Sequence, residues 1–289
     1  IQDLADYWAS GFDWRAAEDR LNAFAHLITE IAGQQVHAIH QRSPSPDALP
    51  LVISHGWPGS VVEFLDIIGP LTDPKSHGGD PADAFHVVAP SLPGYAWSGP
   101  TNDRGWGPTR IARAFATLAA RLGYDRYGVQ GGDWGSIISQ EIARTDSEHV
   151  AGCHVNMITT RPPGQPDDME DLSPFEQTVF DRAAWYQAED NGYFRIQQTR
   201  PQTLGTSLND SPAGLLAWIG EKFHGWTDHD GDPFTAVDRD TILTNVSVYW
   251  FTRTANSSTR IYFELMRTLE AGFGTTGDVP LGVSVFPRE

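Results

Sequence analysis

The sequence predicts an α/β fold, with helices packed on a mostly parallel sheet and a helical lid inserted into the sheet domain. Short apolar runs with strand character alternate with segments of helical spacing over the first 160 residues, which is typical of α/β layers. From residue 173 to about residue 272 the pattern is helical and rich in aromatic residues. The apolar run from Leu281 to Phe286 then predicts a strand that returns to the core.

A Pro-rich linker at residues 161–166 marks the point at which the core ends and the lid begins. We therefore divide the chain into four segments. They are a helical lead-in at 1–26, the core at 27–160, the lid at 161–277 and the returning strand at 278–289.

Charge and hydropathy exclude several classes of partner. The 289 residues include 20 Lys and Arg against 37 Asp and Glu, a formal net charge of -17. Such an acidic chain lacks the excess of basic residues that binding to nucleic acid or anionic lipid requires. No apolar run approaches the roughly 18 residues of a membrane span, and no signal segment opens the chain. We expect a soluble, cytoplasmic protein, and the sequence leaves a homodimer open.

The sequence predicts no metal site and no cofactor. Cys153 is the only cysteine, so an internal disulfide and a cysteine cluster are impossible, and its apolar setting predicts a buried strand thiol. The acidic loop at 228–232 has Gly at its fourth position, whereas a calcium-binding EF-hand loop needs Gly at the sixth. It is interpreted as a solvated turn.

The first elements lead to a short loop. Residues 28–31 and 35–40 predict a hairpin, and residues 49–54 predict a buried strand that runs into His-Gly-Trp-Pro-Gly-Ser at 55–60. We interpret His55 as a loop residue that hydrogen-bonds its own turn rather than as a catalytic base. A helix at 61–71 follows.

A strand at 85–90, an ordered turn at 91–98 and a helix at 109–122 come next. Four apolar side chains share one face of that helix and are predicted core positions: Ile111, Phe115, Leu118 and Leu122.

A strand, a tight turn and a helix then follow at 127–130, 131–135 and 136–144. The turn reads Gly-Gly-Asp-Trp-Gly, which resembles the nucleophile elbow of the α/β-hydrolase fold with Asp133 in place of serine. In that fold the oxyanion donors are the amide after the nucleophile and an amide from an earlier loop, here Trp134 and Trp57.

An aspartate at the elbow limits the chemistry. A carboxylate is ionised at neutral pH without the help of a base, and it can attack a saturated carbon. The resulting ester can be cleaved by water at its carbonyl. The substrates implied are therefore compounds with a strained ring or a leaving group at an sp3 carbon, such as epoxides or alkyl halides. From the five residues of the turn alone, Asp133 could equally cap the following helix.

Further motifs carry a family resemblance. The chain combines two core motifs with several motifs in the lid. The core motifs are His-Gly-Trp-Pro-Gly-Ser at 55–60 and Gly-Gly-Asp-Trp-Gly-Ser at 131–136. The lid motifs are Gly-Tyr-Phe-Arg-Ile-Gln at 192–197, Thr-Arg-Pro at 199–201, Leu-Thr-Asn at 243–245 and Tyr-Trp at 249–250. Together they resemble the microsomal-type epoxide hydrolases over nearly the whole chain, which implies that residues 1–26 are the remnant of an N-terminal meander.

The resemblance implies roles for further residues. Asp133 matches the nucleophile, Tyr193 and Tyr262 match two acids that hold the epoxide oxygen, and Glu289 matches the acid that orients a histidine base. Taken singly, each tyrosine could instead be a lid core aromatic. A phenol suits the role, because its pKa of about 10 keeps it protonated at neutral pH.

The resemblance also implies a histidine that activates water in a segment after Glu289. We therefore expect a chain cut short at both ends, whose 289 residues complete at most one turnover.

The sequence thus predicts a cofactor-independent enzyme that adds water to an epoxide to give a vicinal diol. One alternative is a haloalkane dehalogenase, although that family has Asn where this chain has Trp57. The other is a binding or scaffold protein that lacks the histidine.

Overall fold

The computed structural model describes residues 1–158, 171–268 and 277–286. Its centre is a seven-stranded sheet with the order β1-β2-β4-β3-β5-β6-β7. The strands are β1 His26–Ile31, β2 Gln34–Gln41, β3 Leu49–Ser54, β4 Phe85–Pro90, β5 Tyr127–Gly131, β6 Val150–Val155 and β7 Leu281–Val283. Strands β3 to β7 pair in parallel, and the β1–β2 hairpin adds an antiparallel edge. The predicted mostly parallel sheet is confirmed.

Helices cover the sheet and form a separate helical layer. Those of the lead-in and the core are α1 Gln2–Ser10, α2 Trp14–Asn22, α3 Leu65–Thr72, α4 Pro108–Arg121 and α5 Trp134–Thr145. Those of the lid segment are α6 Pro174–Trp185, α7 Gly192–Thr199, α8 Pro201–Leu208, α9 Pro212–Trp226, α10 Arg239–Thr252, α11 Ala255–Ser258 and α12 Arg260–Thr268. We propose that these two groups of helices belong to the core and to the lid that the sequence predicts.

The lead-in packs on the lid segment. The indole Nε1 of Trp8 donates a 2.9 Å hydrogen bond to Ser247 of α10, and the hydroxyl of Tyr7 donates one of 2.8 Å to Asp240. These contacts tie the N-terminal helices to α10, more than 230 residues later in the chain.

The predicted hairpin and buried strands are present, and the helix predicted at 61–71 differs in detail. Residues Val61–Phe64 form a 3-10 turn, and the α-helix begins only at Leu65. The hydroxyl of Ser60 accepts a hydrogen bond from the amide of Val62, which caps the turn tightly.

The sheet brings two loops together at one edge. Strands β3 and β5 are parallel neighbours, and Ser54 pairs with Gly131 at their carboxyl ends. The loop at 55–60 and the turn at 131–135 therefore leave the sheet side by side, where ligands bind in open α/β sheets.

Helix α10 fixes the first of these loops. Asn245 donates a hydrogen bond of 2.7 Å to the carbonyl of Pro58, and the hydroxyl of Tyr249 donates one of 2.6 Å to the carbonyl of Gly59. The hydroxyl of Ser60 in turn donates to the Oδ1 of Asn245. Helix α10 therefore holds the loop through three buried hydrogen bonds.

The returning strand pairs with the sheet, parallel to β6. Leu281 is the register partner of Cys153 on β6, yet Leu281 and Val283 are exposed in the described structure. The strand ends at Val283, whereas the sequence predicts a run to Phe286.

Two further findings concern the whole chain. Cys153 is buried in β6, as predicted for a strand thiol, and burial raises its pKa to about 12. Across the described ranges, none of the helices has both the length and the apolar character needed to cross a bilayer.

Candidate active site

The turn after β5 has the geometry of a nucleophile elbow. Asp133 has φ 50° and ψ -125°, a backbone conformation that non-glycine residues rarely adopt. The flanking glycines cannot carry side chains, since a Cβ at Gly131 would overlap the carbonyl of Gly135, and one at Gly135 would overlap that of Ser54. The strain projects one side chain out of the crowded turn.

The carboxylate of Asp133 faces the loop after β3. The backbone amide of Trp57 donates a hydrogen bond of 2.7 Å to its Oδ1. Although Asp133 stands at the N-cap position of α5, its side chain makes no capping hydrogen bond. The structure therefore does not support the alternative that the Asp133 side chain caps α5. Trp134 is the first residue of α5, so its amide has no acceptor within the helix.

His55 is held by backbone groups on both ring nitrogens. Its Nδ1 donates to the carbonyl of Gly56 over 2.9 Å, and its Nε2 accepts from the amide of Leu92 over 3.2 Å. Burial lowers the pKa of His55 to about 4, so the ring is neutral at pH 7. The predicted structural role of His55 is confirmed.

Two lid tyrosines pack on the two tryptophans. The ring of Tyr193 stacks on Trp57 with centroids 5.4 Å apart, and that of Tyr262 meets Trp134 edge-on at 4.8 Å. The two tyrosine rings are themselves 5.9 Å apart. Tyr193 is 9% exposed and Tyr262 is 1% exposed, so both rings border a space beside the elbow that is shielded from solvent.

The electrostatics of this space keep both phenols protonated. Burial is the main cause that raises the pKa of Tyr193 and of Tyr262, and the charge of the Asp133 carboxylate raises both further. The site therefore presents two neutral hydroxyl donors at neutral pH beside the Asp133 carboxylate.

One more donor beside the elbow, the buried hydroxyl of Tyr95, has no hydrogen-bond partner among the described residues. The Asp133 carboxylate also raises the pKa of Tyr95, after burial, which places Tyr95 in the same electrostatic neighbourhood. An unpaired buried donor is costly, so the hydroxyl of Tyr95 points to a polar occupant of the space.

A second carboxyl group lies near the nucleophile. Burial, and then the charge of Asp133, raise the pKa of Glu63 from 4.5 to about 8, while the amide of Ser60 opposes the shift. The Glu63 side chain is exposed in part, and it lies against the 55–60 loop, where a Cβ at Gly59 would overlap it.

A buried ion pair supports Tyr193 from the lid. Lys222 is 3% exposed, and its Nζ lies 2.9 Å from Asp190 and 4.5 Å from the centre of the Tyr193 ring. The second carboxylate oxygen of Asp190 accepts a 2.6 Å hydrogen bond from the Nε1 of Trp226. Trp226 packs against Tyr193 at 5.1 Å, so the network holds that ring from two directions.

The structure brings together five of the six residues that the sequence singled out. These are Asp133, Trp57, Trp134, Tyr193 and Tyr262, from two core loops and two lid helices. Glu289 lies outside the described residues.

Sequence reasoning missed four neighbours. Glu63, Tyr95, Tyr186 and Lys222 border the same space. Only Glu63 left a signal, a lone acid between apolar residues directly after the 55–60 loop.

Family models match this chain over most of its length. A model described as "Epoxide hydrolase N terminus" matches residues 1–64, and one described as "alpha/beta hydrolase fold" matches residues 50–228. Epoxide hydrolase 1 of Oryctolagus cuniculus is 37% identical over 322 residues, which cover 100% of this chain and 69% of the relative. The chain belongs to the epoxide hydrolases.

Other epoxide hydrolases agree with this assignment. A putative epoxide hydrolase of Stigmatella aurantiaca is 48% identical, covering 100% of this chain and 65% of its own length. The solved epoxide hydrolase of Aspergillus niger is 35% identical with a TM-score of 0.87, covering 99% of this chain and 72% of that one. The chain thus spans about two thirds of the length of these curated relatives.

A second solved structure is similar as well. Juvenile hormone epoxide hydrolase of the silkworm Bombyx mori is 33% identical with a TM-score of 0.81, covering 100% of this chain and 70% of that one. The α/β-hydrolase fold and the epoxide hydrolase family predicted from the sequence are therefore confirmed. The comparisons favour this family over the haloalkane dehalogenase alternative.

Proposed function

We propose that this chain opens epoxides and hydrolyses them to vicinal diols through an ester on Asp133. The observation that carries the proposal is the 2.7 Å hydrogen bond from the Trp57 amide to Oδ1 of Asp133, at an elbow faced by two protonated phenols. A carboxylate held by an amide donor and opposed by hydroxyl donors suits attack on a carbon that bears a leaving oxygen.

The first step is ring opening. Oδ2 of Asp133 attacks an epoxide carbon, a C–O ester bond forms, and the ring C–O bond breaks. Tyr193 and Tyr262 donate hydrogen bonds to the ring oxygen, and one of them transfers its proton as the alkoxide develops. Their raised pKa values keep these donors protonated before the reaction.

The second step is hydrolysis of the ester. Water attacks the carbonyl carbon of Asp133, and the negative charge develops on Oδ1, which the amide of Trp57 already contacts. We assign the amide of Trp134 as the second donor, because it begins α5 next to the nucleophile. The family resemblance implies Glu289 and a histidine for the activation of water.

Replacement of Asp133 tests the proposal. In the intact protein, Asp133→Asn should abolish the consumption of styrene oxide under single-turnover conditions, because an amide is a far weaker nucleophile and carries no charge. Asp66→Asn, at an exposed carboxylate paired with Arg20, is the matched control and should react like the parent. Consumption by Asp133→Asn at the rate of the parent would refute the assignment.

The proposed partners are a small epoxide and water. The acidic net charge of -17 gives no reason to expect nucleic acid. A homodimer and a cytoplasmic location stay predictions from the sequence.

A further inference from the structure

A third lid hydroxyl contacts the proposed acid. The hydroxyl of Tyr186 lies 3.0 Å from the hydroxyl of Tyr193, within hydrogen-bond distance, and either oxygen can donate. Tyr193 is almost completely buried, whereas Tyr186 is partly exposed. The pair therefore joins a buried hydroxyl of the site to the side chain of a partly exposed tyrosine.

An unusual backbone element places Tyr186. Residues Tyr186–Asp190 form a π-helical turn between α6 and α7, a rare conformation that is frequent at functional sites. The turn begins with Tyr186, which contacts the Tyr193 hydroxyl, and ends with Asp190, which pairs with Lys222. One turn thus contributes both the hydroxyl partner and the ion pair that supports Tyr193.

The neighbourhood of the pair makes a charge on Tyr193 costly. When Tyr193 gives up its proton, a phenolate forms in a largely dry space next to Asp133. A hydrogen bond from a second hydroxyl stabilises such an anion more than it stabilises the neutral phenol, because bonds to charged groups are the stronger ones. The bond therefore contributes most in the transition state of ring opening.

We propose that Tyr186 is a positioning residue that donates to the oxygen of Tyr193 during ring opening and then returns a proton to it. This inference rests on the proposed function. Tyr193 transfers its proton to the epoxide oxygen, Tyr186 transfers its own proton to the Tyr193 phenolate, and solvent water at the partly exposed end reprotonates Tyr186. Each proton that is lost is replaced, and no oxidant or other co-reactant is required.

A double-mutant cycle in the intact protein tests the proposal. The measured quantity is the single-turnover rate constant for loss of styrene oxide, with protein in excess. The variants are Tyr186→Phe, Tyr193→Phe and the double variant, together with Tyr186→Phe in a Tyr262→Phe background. Tyr124→Phe, which removes a hydroxyl bonded to His40 over 2.7 Å, is the matched control and should match the parent.

We expect Tyr186→Phe to slow ring opening roughly 5- to 20-fold, the value of one hydrogen bond to a developing charge. The same loss should appear in the Tyr262→Phe background, whereas in the Tyr193→Phe background the second substitution should change the rate by less than about 2-fold.

Three results would contradict the inference. Equal slowing by Tyr186→Phe in the presence and absence of the Tyr193 hydroxyl would show a role in lid packing only. An unchanged rate for Tyr186→Phe, beside a slowed Tyr193→Phe, would overturn the relay and leave the proposed function intact. A parent protein that consumes no epoxide would overturn both.

Discussion

The carboxylate of Asp133 occupies the space in which the Cβ of any larger residue at Gly56 would lie. The two residues belong to neighbouring loops, one after β3 and one after β5, and their close approach allows the next amide, that of Trp57, to reach Oδ1. The φ of Gly56 lies outside the left-handed region, so the backbone conformation does not require glycine there. It is the position of the Asp133 side chain that requires it.

Gly56→Ala should displace the carboxylate and lower the single-turnover rate about 100-fold, the cost expected for a misplacement of about 1 Å at a reacting group. Gly225→Ala is the matched control, because a Cβ there meets no atom within 4 Å. Circular dichroism should show both variants folded. A Gly56→Ala protein as active as Gly225→Ala would mean that the observed position of the carboxylate is not the reactive one.

Loss of either lid phenol should slow ring opening. Tyr193→Phe and Tyr262→Phe should each reduce the single-turnover rate roughly 10- to 100-fold, because one of two hydroxyl donors to the ring oxygen is removed. The rings remain to pack on Trp57 and Trp134, so thermal unfolding should change little. Rates equal to that of the parent for both variants would assign these tyrosines to packing alone.

Glu63 should make the stability of the fold depend on pH. Its pKa is raised in the folded state from 4.5 to about 8, so between these values the folded chain binds more protons at this site than the unfolded chain. Its contribution to stability is thus greatest below about pH 4.5, falls as the pH rises, and is constant above about pH 8.

Glu63→Gln should remove this dependence. The free energy of unfolding of the variant minus that of the parent should increase from pH 4.5 to pH 8 and then level off, as measured by urea denaturation at a series of pH values. Glu18→Gln, at a surface ion pair with Arg15, is the control. A difference that does not vary with pH would show that the carboxyl of Glu63 titrates normally.

The sequence was informative where local pattern and chemistry coincide. Strand, turn and helix at 127–144 could be predicted because apolar spacing, close glycines and one acid all point to a strained elbow, and the elbow has φ 50° at Asp133. The neighbouring amide of Trp57 was predictable for the same reason. Parallel strands end at one edge, which places the loop after β3 beside the elbow.

The lid side of the site could not be predicted in the same way. The contact between Tyr186 and Tyr193 depends on a π-helical turn, for which no residue pattern is specific. The raised pKa of Glu63 arises from burial and from the charge of Asp133, a residue 70 positions later in the chain. Lys222 appears in the sequence as an ordinary helical lysine, and only tertiary packing places it over the ring of Tyr193.

The central claim is that the oxygen added to the epoxide comes first from Asp133 and only then from water. A single turnover of styrene oxide by the intact protein in ¹⁸O-labelled water tests it directly. In the proposed mechanism Oδ2 of Asp133 forms the new C–O bond, and water attacks the carbonyl carbon of the ester rather than the substrate.

The diol of this first turnover should therefore carry no ¹⁸O at the new hydroxyl, and the label should appear in the peptide that contains Asp133. A first-turnover diol that carries the label, together with an unlabelled Asp133 peptide, would show direct attack by water on the epoxide and would contradict the account.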